Sequence, residues 1–143
     1  MKLSDKGYAL LKRSEGFRAN TYKDVAGHPT IGYGHKLLIG EDFAGGITQA
    51  EGDLLLRGDV AEAEGAVTKL VTVPLTQGQF DALVDFVYNL GAGRLATSTL
   101  RKVLNKGQYD EACDWLEKWD HAGNVEVQGL KTRRLAEQEL WRS

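Results

Sequence analysis

This 143-residue chain holds one cysteine, one methionine and two prolines. With Cys113 alone, no intramolecular disulfide can form, so folding does not depend on an oxidising compartment. A lone cysteine among helix formers reads as a small buried apolar residue rather than a catalytic thiol, since no histidine lies near it in sequence. No apolar run approaches the length of a bilayer span. The start, Met1-Lys2-Leu3-Ser4-Asp5-Lys6, lacks the apolar core of a secretion signal. Charge of one sign is also missing: 18 Lys plus Arg face 20 Asp plus Glu, a net of -2. That balance gives no long-range attraction to nucleic acid or to an acidic surface. His28, His35 and His121 are too scattered for the paired spacing of a zinc motif. Gly32-Tyr33-Gly34 lacks the lysine and second glycine cluster of a phosphate loop. Neither a metal nor a cofactor is expected.

What remains is enough for a core. Apolar residues make up 42% of the chain and charged residues 27%, ordinary values for a single domain over 1–143. Ser4 is a suitable N-cap for an opening helix carrying Tyr8, Leu10 and Leu11, and Gly16 a suitable left-handed stop. From Phe17 to His35 the period changes. Thr21, Tyr22, Val25, Ile31 and Tyr33 are strand formers punctuated by Gly27, Pro29, Gly32 and Gly34, which predicts two or three short antiparallel strands there and little sheet elsewhere.

The remainder reads as helix. Thr48 with Glu51 and Thr76 with Gln79 are capping-box signatures. The first opens one long helix ending before Pro74, with Leu54, Leu55, Val60, Val67 and Leu70 as its apolar positions. The second opens a helix whose wide face of Phe80, Leu83, Val84, Val87 and Leu90 predicts a central place in the core, closed by Gly91 and Gly93. Further helices are predicted over 98–105, 109–119 and 129–141. Trp115, Trp119 and Trp141 lie at apolar phases and read as core. The fold class is α+β: a small antiparallel β-hairpin lobe, about 17–47, joined by a long helix to a larger helical lobe, about 72–143 plus the N-terminal helix.

Two carboxylates and a hydroxyl, Glu15, Asp24 and Thr30, fall where the first helix ends and the glycine-rich hairpin begins. Such a junction can shelter one carboxyl while the other faces water, the division of labour that glycoside hydrolysis needs. Phe17, next to Glu15, is the candidate cover that would keep it protonated. Taken singly, Asp24 is an ordinary turn residue and Thr30 an ordinary strand residue. Arg133 and Arg134 would normally form a solvated face with Lys131, although one of them could reach Glu15.

The combination resembles the phage-type lysozymes, the muramidase endolysins of one glycoside hydrolase family. The resemblance rests on Glu15, Asp24 and Thr30, the segment Thr30-Ile31-Gly32-Tyr33-Gly34-His35, and Gln79 to Phe86 with Asn89 and Gly91. It extends through Ser98-Thr99-Leu100 and Gly129-Leu130, Arg133-Arg134, Glu137 and Leu140-Trp141. It implies a lysozyme-like fold with Glu15 as general acid, Asp24 as base or electrostatic partner, and Thr30 helping to hold the attacking water. It further implies inversion at the anomeric carbon, with carboxyls roughly 6.5–9.5 Å apart, and cleavage between N-acetylmuramic acid and N-acetylglucosamine. Tyr88 and Thr99 would line the glycan cleft, His35 would pair with Asp59 as a structural link, and Arg133 or Arg134 would sit near Glu15. The partner would be peptidoglycan glycan strands, with no nucleic acid or membrane bound and the chain a monomer. It would wait in the host bacterial cytoplasm until released to the wall. Two alternatives stand beside this: a lytic transglycosylase acting on the same bond, and a noncatalytic glycan-binding protein. Many members of the family are strongly basic, whereas this chain is slightly acidic, which weakens expected wall affinity.

Overall fold

The computed structural model describes all 143 residues. Helix α1 spans Asp5–Glu15 and leads into a three-stranded antiparallel sheet of β1, Arg18–Lys23, β2, Pro29–Gly32, and β3, His35–Lys36, in that spatial order. The 22-residue α2, Gln49–Leu70, then runs about 33 Å at 1.5 Å per residue. Beyond it come α3, Gln77–Leu90; α4, Ala92–Ala96; α5, Thr99–Leu104; and α6, Tyr109–Trp115, which ends in a 3₁₀ turn over Leu116–Lys118. A two-stranded ribbon of β4, His121–Ala122, and β5, Val125–Glu126, precedes the last helix α7, Gln128–Arg142.

Both predicted capping boxes form. Thr48 Oγ1 accepts from the Glu51 N–H while Glu51 Oε1 accepts from the Thr48 N–H, and Thr76 and Gln79 repeat the exchange. Helix α3 is the hub: every residue from Phe80 to Val87 is buried, and it packs against α1, α2 and α7. Its Asp81 anchors the start of α1 by accepting from the Ser4 N–H at 3.0 Å and from the Ser4 hydroxyl. Asp81 thus ties the first turn of α1, and hence the helix that carries Glu15, to the middle of the core.

Several boundaries differ from expectation. Leu54 is exposed, and α2 buries Leu56, Val60, Ala63 and Val67 instead. The inward stripe therefore contains Ala63 and omits Leu54, which apolar identity alone could not reveal. Gly91 alone closes α3, with Gly93 inside the short α4. The ribbon β4–β5 was not expected, because two-residue strands carry almost no periodicity. Cys113 is buried on α6 among core side chains, and burial pushes its thiol up from its ordinary range. No helix is long and apolar enough to cross a membrane.

Candidate active site

Glu15 is the last residue of α1. Gly16 follows with φ 71° and ψ 158°, so its φ is positive as expected, but its ψ is extended and the chain passes straight into β1. The Glu15 carboxyl is thereby left at the mouth of the hairpin, with its side chain about 20% exposed. Phe17 does not serve as its cover. It stacks on Tyr33, ring centres 5.3 Å apart, and lies over Gly52. Two other neighbours bound the carboxyl. Arg133 Nη1 donates to Glu15 Oε2 at 2.6 Å, and the backbone of Gly34 lies so close that a Cβ there would sit 2.6 Å from Glu15 Oε1. Gly34 also has φ 79°, which disfavours any other residue in the two-residue turn between β2 and β3.

Asp24 and Thr30 lie on the first hairpin. Asp24 Oδ1 accepts from the backbone N–H groups of Ala26 at 3.0 Å and His28 at 2.8 Å, a side-chain-closed turn of the kind Asp favours. The His28 N–H, aided by that of Ala26, holds the Asp24 carboxyl below the usual carboxylate range. Thr30 is buried on β2, pairs with Tyr22 on one side and Lys36 on the other, and donates its hydroxyl hydrogen to the His28 carbonyl at 2.8 Å. Its oxygen lone pairs remain available to a donor. The turn residue His28 therefore touches both, through its N–H to Asp24 and its carbonyl to Thr30.

Behind Glu15 lies a buried ionic group that the sequence reading largely missed. Arg133 is the arginine that reaches Glu15, and it forks onto Asp85 through Nε and Nη2, both at 2.9 Å. Arg134 turns away, donating to Glu137 Oε2 and Asn89 Oδ1 at 2.8 Å and to the Trp119 carbonyl at 3.3 Å. Arg134, Asp85 and Glu137 are essentially without solvent contact. Burial opposes the charge of Arg133, but Asp85 and Glu15 outweigh it and raise its pKa, so the guanidinium stays charged. The one sequence clue to Asp85 was two acids, Asp81 and Asp85, four apart within an otherwise apolar helix face.

His35 bridges the sheet to α2. Its Nδ1 lies 2.8 Å from Asp59 Oδ2, and its Nε2 lies 2.9 Å from Glu41 Oε1, the second partner being one that sequence reading did not supply. Burial opposes its charge, but hydrogen bonds to Glu41 and Asp59 prevail and raise its pKa. Asp59 is itself raised rather than lowered, because its burial outweighs His35. Tyr88 donates its hydroxyl to the Tyr33 carbonyl at 2.6 Å and lines a groove of about 370 Å³ with Gly34, Lys36 and Asp59. Thr99 is exposed at the start of α5 and does not line that groove. His28, on the first hairpin's turn, and His121, in β4, are both exposed, and no group of three or more His, Cys, Asp or Glu is arranged to hold a metal ion.

Comparison with known proteins gives the class of this site, a glycoside hydrolase of the lysozyme type. The phage lysozyme family model matches residues 12–137. The endolysin of Acyrthosiphon pisum secondary endosymbiont phage 1 is 40% identical over 100% of this chain and 99% of its own length. The endolysin of Bacillus phage B103 is 41% identical over 99% of this chain, which spans only 54% of that longer protein. Among solved structures, the muramidase domain of SpmX from Asticaccaulis excentricus superposes with TM-score 0.90 at 34% identity, covering 99% of this chain and 98% of that one. This chain belongs to the phage lysozyme family.

Proposed function

We propose that this lysozyme cleaves the β-1,4 bond between N-acetylmuramic acid and N-acetylglucosamine by a single inverting displacement that lyses the bacterial wall. The observation carrying this reading is the contrast between the two carboxyls: Glu15 against Arg133 and the Gly34 backbone, Asp24 in a turn that keeps it ionised. Glu15 gives its proton to the glycosidic oxygen as the bond from that oxygen to the anomeric carbon breaks. Water attacks the same carbon from the opposite face and passes a proton to Asp24, with Thr30 orienting it. The new sugar end is a hemiacetal of inverted configuration. Glu15 is left as a carboxylate, and the Arg133 guanidinium 2.6 Å away stabilises that charge as it forms. Tyr88 and Thr99 belong to the same proposal as glycan contacts, Tyr88 supported by its place in the groove.

The test is release of reducing ends from purified peptidoglycan. Glu15→Gln and Asp24→Asn should each lose about 10²-fold or more in kcat, the usual worth of a general acid or base. Full activity of Glu15→Gln would remove the assignment. Products one water lighter, as 1,6-anhydro sugars, would instead make the enzyme a lytic transglycosylase, and binding without release of ends would make it a glycan-binding protein. Access to the wall from the cytoplasm of the host, through a membrane lesion made by another protein, completes the reading. Expression without such a lesion should leave cells intact.

A further inference from the structure

The two-residue turn Tyr33-Gly34 between β2 and β3 is held by three contacts from outside the sheet. The Tyr33 ring stacks on Phe17 with ring centres 5.3 Å apart. His35, which follows the turn, lies 2.8 Å from Asp59 of α2. Both of these hold side chains. The third grips the backbone: Tyr88, from α3, donates its hydroxyl hydrogen to the Tyr33 carbonyl at 2.6 Å. That oxygen belongs to the planar peptide unit that ends at the Gly34 Cα, so fixing the oxygen fixes the Cα with it. A glycine needs such a hold, because on its own it enters many backbone conformations besides the φ of 79° found here. A Cβ built on that Cα would sit 2.6 Å from Glu15 Oε1. One rigid peptide therefore separates the Tyr88 hydroxyl from the wall that bounds the Glu15 carboxyl.

We propose that Tyr88 is a positioning residue: its hydroxyl holds the Tyr33-Gly34 peptide against Glu15, so that Glu15 Oε1 is aimed into the groove as the oxygen that carries the proton. Oε2 accepts from Arg133 Nη1 at 2.6 Å, which leaves Oε1 to bear the hydrogen. Gly34 bounds Oε1 and lines the groove together with Tyr88. The last torsion of a glutamate side chain is broad and two-fold. Without the Gly34 wall, the Glu15 carboxyl would swing about that bond and point its proton in a range of directions. Misplacing a reacting group by about 1 Å costs as much as 10²-fold in rate. Burial pushes the Tyr88 hydroxyl up from its ordinary range, so it stays protonated and keeps donating to the turn at neutral pH. This role rests on Glu15 being the general acid.

Tyr88→Phe keeps the ring and deletes the hydroxyl. On purified peptidoglycan it should lower kcat about tenfold and leave KM within about twofold. A raised KM with kcat unchanged would make the hydroxyl a glycan contact and overturn the proposal. Added to Glu15→Gln, the same substitution should lower the residual rate no further, because no proton is left to aim. A second tenfold loss in that background would show Tyr88 acting on the sugar directly, and would also overturn it. A last measurement needs no activity. In ¹⁵N relaxation, the amide order parameter of Gly34 should fall from about 0.85, the value of rigid backbone, toward about 0.6 in Tyr88→Phe, while those of α3 stay unchanged. An unaltered Gly34 would show that the turn holds itself. Full activity of Glu15→Gln would remove the acid assignment and the aiming of its proton together, whereas the order parameter alone decides whether the hydroxyl holds the turn.

Discussion

Asp24 and Glu15 occupy opposite kinds of surroundings. Asp24 is held by N–H groups two and four residues away, on a turn open to water. Glu15 is held by a guanidinium 118 residues away in sequence, itself clamped by an aspartate 48 residues from it and wholly buried. The hairpin makes its carboxylate with local backbone geometry, needing little from the rest of the fold. The helix end relies on the packing of α1, α3 and α7 to bring an ionic group together beneath it. The two halves of the site should therefore fail differently.

The largest expected effect follows from removing the charge beneath the helix-end half. Arg133→Met would leave Asp85 buried without a partner. Breaking a buried pair from one side costs about 3–5 kcal/mol, because the remaining charge cannot reach water. An exposed pair of the same chemistry, Lys131 with Glu126 at 3.3 Å, should cost less than about 1 kcal/mol when broken by Lys131→Met. Denaturant midpoints for the two variants check this. Similar losses would mean that the ionic group behind Glu15 is more hydrated than its burial indicates.

The same contrast explains what the sequence could and could not disclose. Capping boxes, the helix-ending Gly16 and the hairpin glycines act over three or four residues, so their residue types already state the local conformation. Glu15, Asp24 and Thr30 stood out because they sit where two such local signals meet. Asp85 did not stand out: it is an acid on a helix, and only the crossing of α3 and α7 brings it to Arg133. Glu41 is missed as a partner of His35 for the same reason, since a loop residue carries no periodicity to say where it points. Even the choice between Arg133 and Arg134 depends on a rotation of about 100° along α7, finer than the pattern of one helix resolves.

An intermediate effect is expected at His35, which joins the sheet to α2 and is held by one partner near in sequence, Glu41, and one distant, Asp59. Its pKa in the fold lies above the ordinary 6.5. The native state therefore keeps a proton that the unfolded chain releases, and stability falls as pH rises through this window. The contribution is fully present below pH 6.5 and gone above the raised native value. His35→Asn should cost about 2 kcal/mol at pH 6, the scale of a hydrogen bond to a charged group, and clearly less at pH 9. Glu41 is lowered by the Leu38 N–H and by His35, so its own titration lies below this range. Equal losses at pH 6 and pH 9 would mean that His35 is held neutral.

Effects on the scaffold run in both directions along α2, the smallest at its open glycines. Gly58 and Gly65 face open space, with nothing within 4 Å of the position a Cβ would take. Alanine at either should stabilise by about 1 kcal/mol, since it costs the helix less backbone entropy and meets no neighbour. Gly52 lies on the same helix but beneath the hairpin, where a Cβ would come within 2.7 Å of the Phe17 ring and 3.6 Å of Tyr33. Gly52→Ala must push Phe17 off the helix and should cost about 1–3 kcal/mol as overpacking. Urea midpoints at unchanged slope would measure all three. A stabilising Gly52→Ala would show that the hairpin yields freely over α2, and the Gly34 turn could then not hold its close approach to Glu15.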